Sequence, residues 1–347
     1  MTASLLHRLA AVLVLGAAVL APSAPSAARS VTDSAGRTVA VPDTVTRVFA
    51  AGPPAAVLVY TLAPDLLVGW PRALPAAAAA YVPPRIRDLP EVGRLAGRGD
   101  TANLEVVLRH APDLIVDYGS LAPTFVSLAD RVQGQLGLPM VLLDGRFEAI
   151  PEAYRTLGRL LGRGERAERL ATYAEAVLRE RDALLAAVPA DARPRVYYGR
   201  GPDGLETGLA GSINVELIER AGAVNVAAAA GRGSLASVSM EQVLAWDPAV
   251  IVTIDPNFAG AVRDDPRWQG VRAVRDGRIH LAPALPFSWI DFPPSANRLM
   301  GVRWLAHVLY PDHAAGDLRA QAREFYALFY GHDLTDAQLD ALLGDGR

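Results

Sequence analysis

Cysteine is missing from all 347 residues, which excludes disulfides, thiolate metal sites and attachment of lipid to an N-terminal cysteine. Lysine is missing too, so each of the 34 basic side chains is a guanidinium, a permanently charged planar fork. Histidine is sparse. His7, His110, His280, His307, His313 and His332 are scattered and lack the spacing of a metal motif, which makes a bare cation held by protein side chains the secondary binding mode. A formal charge of -3 gives no nucleic-acid footprint. Neither a G-x-S-x-G elbow nor a cysteine nucleophile is present for hydrolytic chemistry.

What is present begins with His7 and Arg8 ahead of an apolar run over residues 9–21, too short to span a bilayer, which takes about 20 residues. Small residues follow, with Ser26 and Ala28 at the -3 and -1 positions of a signal-peptidase site. Residues 1–28 therefore read as a cleaved signal peptide, and the mature chain as a soluble periplasmic protein. About 320 mature residues exceed what one core serves, so two domains are expected.

Short β-rich runs alternate with longer helical patterns, the mark of parallel α/β architecture. Strands are expected over 45–50, 66–69, 114–117, 140–143, 195–198, 250–254 and 279–281. Residues 148–188 carry apolar side chains at helical spacing and no strand signal, which predicts one long helix kinked at Gly162–Gly164. The partition is an N-terminal lobe over 29–146, a linking helix over 147–190 and a C-terminal lobe with terminal helices over 191–347. An internal repeat supports two related lobes: Asn103–Leu108 with Pro112–Val116 returns 136 residues later as Ser239–Leu244 with Pro248–Val252. In each copy a capping residue opens a helix, proline blocks it and an apolar strand follows.

With Thr32–Arg37 opening the mature chain, Gly93-Arg94 ahead of the Leu104-Glu105 helix, the Pro112–Ile115 step and residues 289–310, the sequence resembles periplasmic binding proteins that serve ABC importers of ferric siderophores, haem, cobalamin and, in some members, molybdate. The resemblance covers essentially the whole mature chain. It implies two parallel-sheet α/β lobes joined by one long helix, reversible binding without catalysis or cofactor, and delivery to a membrane permease by a monomer. A ferric siderophore or ferric carboxylate is the leading ligand.

Open α/β sheets bind ligands beyond the carboxyl ends of their strands. That rule nominates Gly52, Pro53, Trp70, Arg94, Tyr118 and Gly119 in the first lobe, and Tyr198, Arg200, Thr207, Ser212, Asp255 and Trp289 in the second. Arg200 leads as the cation for an anionic ligand, and Trp289 either stacks on a flat ligand or packs in the core. The family's permease contact, one acidic residue per lobe, implies Glu216 or Glu219 in the second lobe; residues 54–62 of the first contain no acid. The rival enzyme readings are a Gly199–Gly204 dinucleotide loop, which needs a helix directly behind it, and acid–base chemistry by Asp117, Asp255 or Asp291.

Overall fold

The computed structural model describes residues 28–96 and 104–344, so the expected signal segment lies outside the described residues except for Ala28. Strands β1 (Ala28–Thr32) and β2 (Thr38–Pro42) form an antiparallel hairpin. Its turn is tied by the Asp33 carboxylate, which accepts the N–H groups of Ala35, Arg37 and Leu142. Strands β3 (Val48–Ala50), β4 (Leu114–Gly119) and β5 (Met140–Asp144) build the parallel sheet of the first lobe in that spatial order. The second lobe contains β6 (Arg195–Gly199), β7 (Glu206–Gly208), β8 (Val224–Asn225), β9 (Leu235–Ser237), β10 (Val250–Thr253) and β11 (Ile279–Leu281). Its parallel sheet runs β11-β10-β6-β8, while β7 and β9 pair antiparallel at the edge of the cleft.

Alternation along these strands divides the interior into three cores. Val116 and Tyr118 of β4 share one continuous core with Val196, Tyr198, Val250 and Val252 of the second lobe. The opposite faces, Phe49 and Ile115 in one lobe and Tyr197 and Ile251 in the other, each pack against their own outer helices. The inner faces of both sheets thus belong to one connected apolar core.

The repeat is reproduced at atomic detail. Ala111 and Asp247, 136 positions apart, both adopt φ 40, ending their helices just before the proline. Arg47 donates to the carbonyls of His110 and Ala111, and Arg195 to that of Trp246. Ser239 forms a capping box with Gln242 at the start of the helix Met240–Trp246, whereas the corresponding Asn103 lies outside the described residues.

The linking segment departs from the expected kinked helix. Gly162, at φ 65, stops the helix Ile150–Leu161 completely, and the chain folds back as the 24-residue helix Gly164–Ala187. Arg155 consequently reaches Glu168 at 2.7 Å and Glu175 at 2.6 Å on the longer helix. The longer helix alone carries the chain to the second lobe. The terminal helices also differ from the simple partition: Arg303 in the helix Arg298–Leu309 grips Glu180 of the long helix, and Tyr330 then returns to the first lobe, where its carbonyl accepts the Tyr60 hydroxyl at 2.6 Å. Tyr60, Phe287 and Tyr330 form an aromatic cluster there.

Gly301 allows the Arg298–Leu309 helix to lie directly under the loop that borders the cleft, because a Cβ at this position would sit 1.9 Å from the Trp289 carbonyl oxygen. Gly301→Ala should lower unfolding stability by about 2–4 kcal/mol in urea denaturation. A loss below about 0.5 kcal/mol would mean that the loop shifts freely.

Candidate ligand-binding cleft

The carboxyl ends of both parallel sheets open into one cleft of about 2220 Å³. Pro53 after β3, Gly119 and Ser120 after β4, and Asp144 and Arg146 after β5 form the first wall. Arg200 after β6, Ile254 after β10 and residues 284–288 and 291–294 after β11 form the second. The helix Pro123–Leu136 adds Thr124, Phe125, Leu128 and Arg131 at helical spacing to the first wall.

The floor of the cleft is held by Arg298, whose side chain is fully buried. Its guanidinium pairs with Glu216 of the second lobe at 2.8 Å, donates to the Gly145 carbonyl of the first, and lies 5.8 Å from the centre of the Phe147 ring. Glu216 also accepts the Phe147 N–H at 3.2 Å. Beside it the ends of β4 and β5 are in backbone contact: a Cβ on Gly145 would fall 2.5 Å from the Gly119 Cα, so glycine alone permits this approach.

A second buried cluster backs the far wall. Arg200 forms an ion pair with Glu206 at 2.8 Å, and its Nε lies 3.2 Å from Asp291 without the alignment of a hydrogen bond. Asp291 accepts from Asn214 at 2.8 Å, Tyr198 at 3.2 Å and the Phe292 N–H at 2.7 Å. Burial pushes the Asp291 carboxyl above its usual range, and the charge of Arg200 pulls the other way. Arg200 is therefore at the predicted place but is already neutralised by two carboxylates. Arg72 and Arg131 are exposed on the first wall and have no acidic partner among the described residues.

Of the nominated residues, Pro53, Trp70, Arg94, Gly119, Arg200, Ser212, Glu216 and Glu219 line the cleft. The others do not. Gly52 is buried behind Pro53 as the N-cap of its helix. Tyr118 and Tyr198 point into the shared core, where desolvation raises the Tyr118 hydroxyl to about 12 and holds that of Tyr198 well above its usual value. Thr207 is buried in β7, Asp255 caps the helix Pro256–Ala261, and Trp289 is a core residue whose Nε1 donates to Tyr326 at 3.2 Å. Trp70, though at the cleft, is almost wholly buried with its indole N–H on the Ile86 carbonyl. The Glu216 carboxylate is engaged by Arg298 within the floor. Arg72, Arg131, Phe125, Asn214, Asp291 and Phe292 were not among the nominated binding residues; helical spacing from Leu121 was the available signal for Phe125 and Arg131.

The enzyme readings lose their context. The strand β7, and no helix, follows Gly199–Gly204, so a pyrophosphate would meet no helix N-terminus there. Asp117 is buried away from the cleft and Asp255 is a cap. Among the described residues there is no cluster of His, Asp and Glu able to hold a metal, and no helix long and apolar enough to cross a membrane.

Two lobes of repeated topology thus face one open cleft at the carboxyl ends of their strands, an arrangement suited to holding a solute. Residues 59–285 match the periplasmic binding protein family, and the chain belongs to it, the class of binding protein that serves ABC transporters. It is similar to the molybdate-binding protein MolA of Haemophilus influenzae, 28% identical over 267 residues that cover 71% of this chain and 75% of MolA. The solved ABC transporter solute-binding protein of Sulfurospirillum deleyianum superposes with a TM-score of 0.82 at 27% identity, covering 91% of this chain and 99% of that one. MolA bound to molybdate superposes at 0.73 with 24% identity, covering 88% and 99%.

Arg298→Met should cost about 3–5 kcal/mol in chemical denaturation, since it strands the Glu216 carboxylate in the floor. A loss under about 1 kcal/mol would show that the pair does not tie the lobes. Asp117 offers a pH test, because burial raises its carboxyl from 3.8 to about 6. The folded state then holds more protons than the unfolded between these values, so stability falls as pH rises through that window. Asp117→Asn should be more stable than the parent by on the order of 1–3 kcal/mol at pH 7.5 and equal to it near pH 4. A gain independent of pH would refute this origin.

Proposed function

We propose that the protein is the solute-binding component of an ABC importer that captures an anionic, metal-bearing solute, with a ferric chelate such as a siderophore or carboxylate complex as the leading ligand. The observation that carries this is the guanidinium-lined cleft. At about 2220 Å³ it is larger than the roughly 300–1,000 Å³ of a drug-sized ligand pocket. Arg72 and Arg131 supply the forked donors that match carboxylate or oxyanion groups, while the buried Arg200 stiffens the opposite wall. The mature form is proposed to be a monomeric periplasmic protein released from its signal peptide.

Molybdate is the second reading, and the similarity to MolA favours it. Reversible capture requires little rearrangement, because the lobes share a continuous core and a stapled floor. For delivery, Glu219 is the proposed permease contact of the second lobe; the helix Pro53–Leu62 of the first has no acid with which to match it.

A thermal-shift titration of residues 29–347 against ferric citrate, ferric hydroxamates, ferric catecholates, haem, cobalamin and molybdate tests the reading. A ligand at 100 times its Kd stabilises by about 2.7 kcal/mol, which raises Tm by roughly 4 °C for a chain of this length. Arg72→Ala and Arg131→Ala should each weaken an anionic ligand by about tenfold and leave the unliganded Tm within about 1 °C, as expected of exposed side chains. Binding that ignores both substitutions would remove the anion from the proposal.

A further inference from the structure

Phe292 is the only aromatic among the large exposed hydrophobic side chains of the described residues, and it lines the cleft with 68% of its surface open. Its backbone sits at φ 69, a left-handed conformation in which a bulky residue is uncommon and costs on the order of 1–2 kcal/mol. Hydration of an exposed ring offers nothing to offset that strain.

The surroundings hold the residue in place. The Phe292 N–H donates to the fully buried Asp291, itself fixed by Asn214, Tyr198 and Arg200. On the other side, the buried Asn297 side chain donates to the Pro293 carbonyl at 2.9 Å and to that of Ser288. Ser295 donates to the Pro54 carbonyl of the first lobe at 3.0 Å. Strain kept by a buried polar network points to a role for the group it displays.

We propose that Phe292 is a ligand-contacting residue whose ring packs face-on against a conjugated or aromatic part of the solute, which makes the natural ligand an organic chelate of the catecholate type and not a bare oxyanion. This rests on the binding-protein reading and narrows its ligand class. The apolar Phe125 and Leu128 on the first wall complete a setting suited to a ligand with both charge and a flat face. Asp291 acts as the positioning residue, since its carboxylate fixes the Phe292 amide without lying at the exposed rim.

The experiment is isothermal titration of the full mature chain and its Phe292→Ala, Phe292→Gly and Phe292→Tyr variants with three probes: the ferric complex of 2,3-dihydroxybenzoate, ferric citrate and molybdate. The expected result is tight binding of the aromatic complex, a loss of about tenfold or more in the Ala and Gly variants, and near-parental binding in Tyr. Glycine relieves the left-handed strain, so Phe292→Gly should at the same time raise the unliganded Tm by about 2 °C, an outcome that a purely structural role for the ring would reverse. Tight binding of molybdate or ferric citrate that all three variants leave within twofold would overturn the aromatic contact and keep the binding-protein reading. Unchanged affinities with lost transport in cells would place the ring against the importer and overturn it as well. Failure of the parental chain to bind any probe would sink both the contact and the ligand class on which it rests.

Discussion

Everything about the cleft depends on the buried contact of Arg298 with Glu216. One guanidinium holds the carboxylate of a second-lobe helix, the carbonyl at the end of a first-lobe strand and the face of Phe147 at the start of the linking segment. A charge pair removed from water repays its desolvation only when its remaining donors and acceptors are met. Here they are met by groups from both lobes, so the electrostatics of the pair and the relative placement of the two sheets are one constraint.

That constraint also explains the distribution of charge. Arginines needed for structure, such as Arg200, Arg298 and Arg303, are buried with acidic partners, whereas Arg72 and Arg131 remain at the surface of the cleft. In a chain without lysine the same side chain must do both jobs, and burial with a carboxylate is what distinguishes them.

The architecture was legible in the sequence wherever period and punctuation coincide. The strands at 114, 140, 195, 250 and 279 begin where the apolar runs begin, and each copy of the repeat ends its helix in a left-handed residue whose preceding carbonyl accepts from an arginine outside the repeat. The edge pair β7 and β9, Glu-Thr-Gly and Leu-Ala-Ser, contains no apolar run to signal it, and Gly162 stops the helix where the periodicity predicts only a kink. Of the residues that the strand-end rule nominates, Pro53, Gly119, Arg200 and Ser212 do line the cleft. The rule misplaced Tyr118 and Tyr198 because each is on the inward phase of its strand with Val116 and Val196. Arg131 was signalled only by its helical spacing from Leu121, and Phe292 sits on a loop eleven residues beyond the last strand, where no local pattern points to the cleft.

The return of the terminal helices to the first lobe has a consequence for the order of assembly. The helix Pro53–Leu62 stays partly uncovered until Tyr330 arrives to accept the Tyr60 hydroxyl, so the earliest-made lobe can close its core only after nearly the whole chain has been synthesised. Domains commonly fold in turn as they emerge from the ribosome. This one is built to wait, and a nascent chain stopped short of its last helices would present the first lobe with an open apolar face.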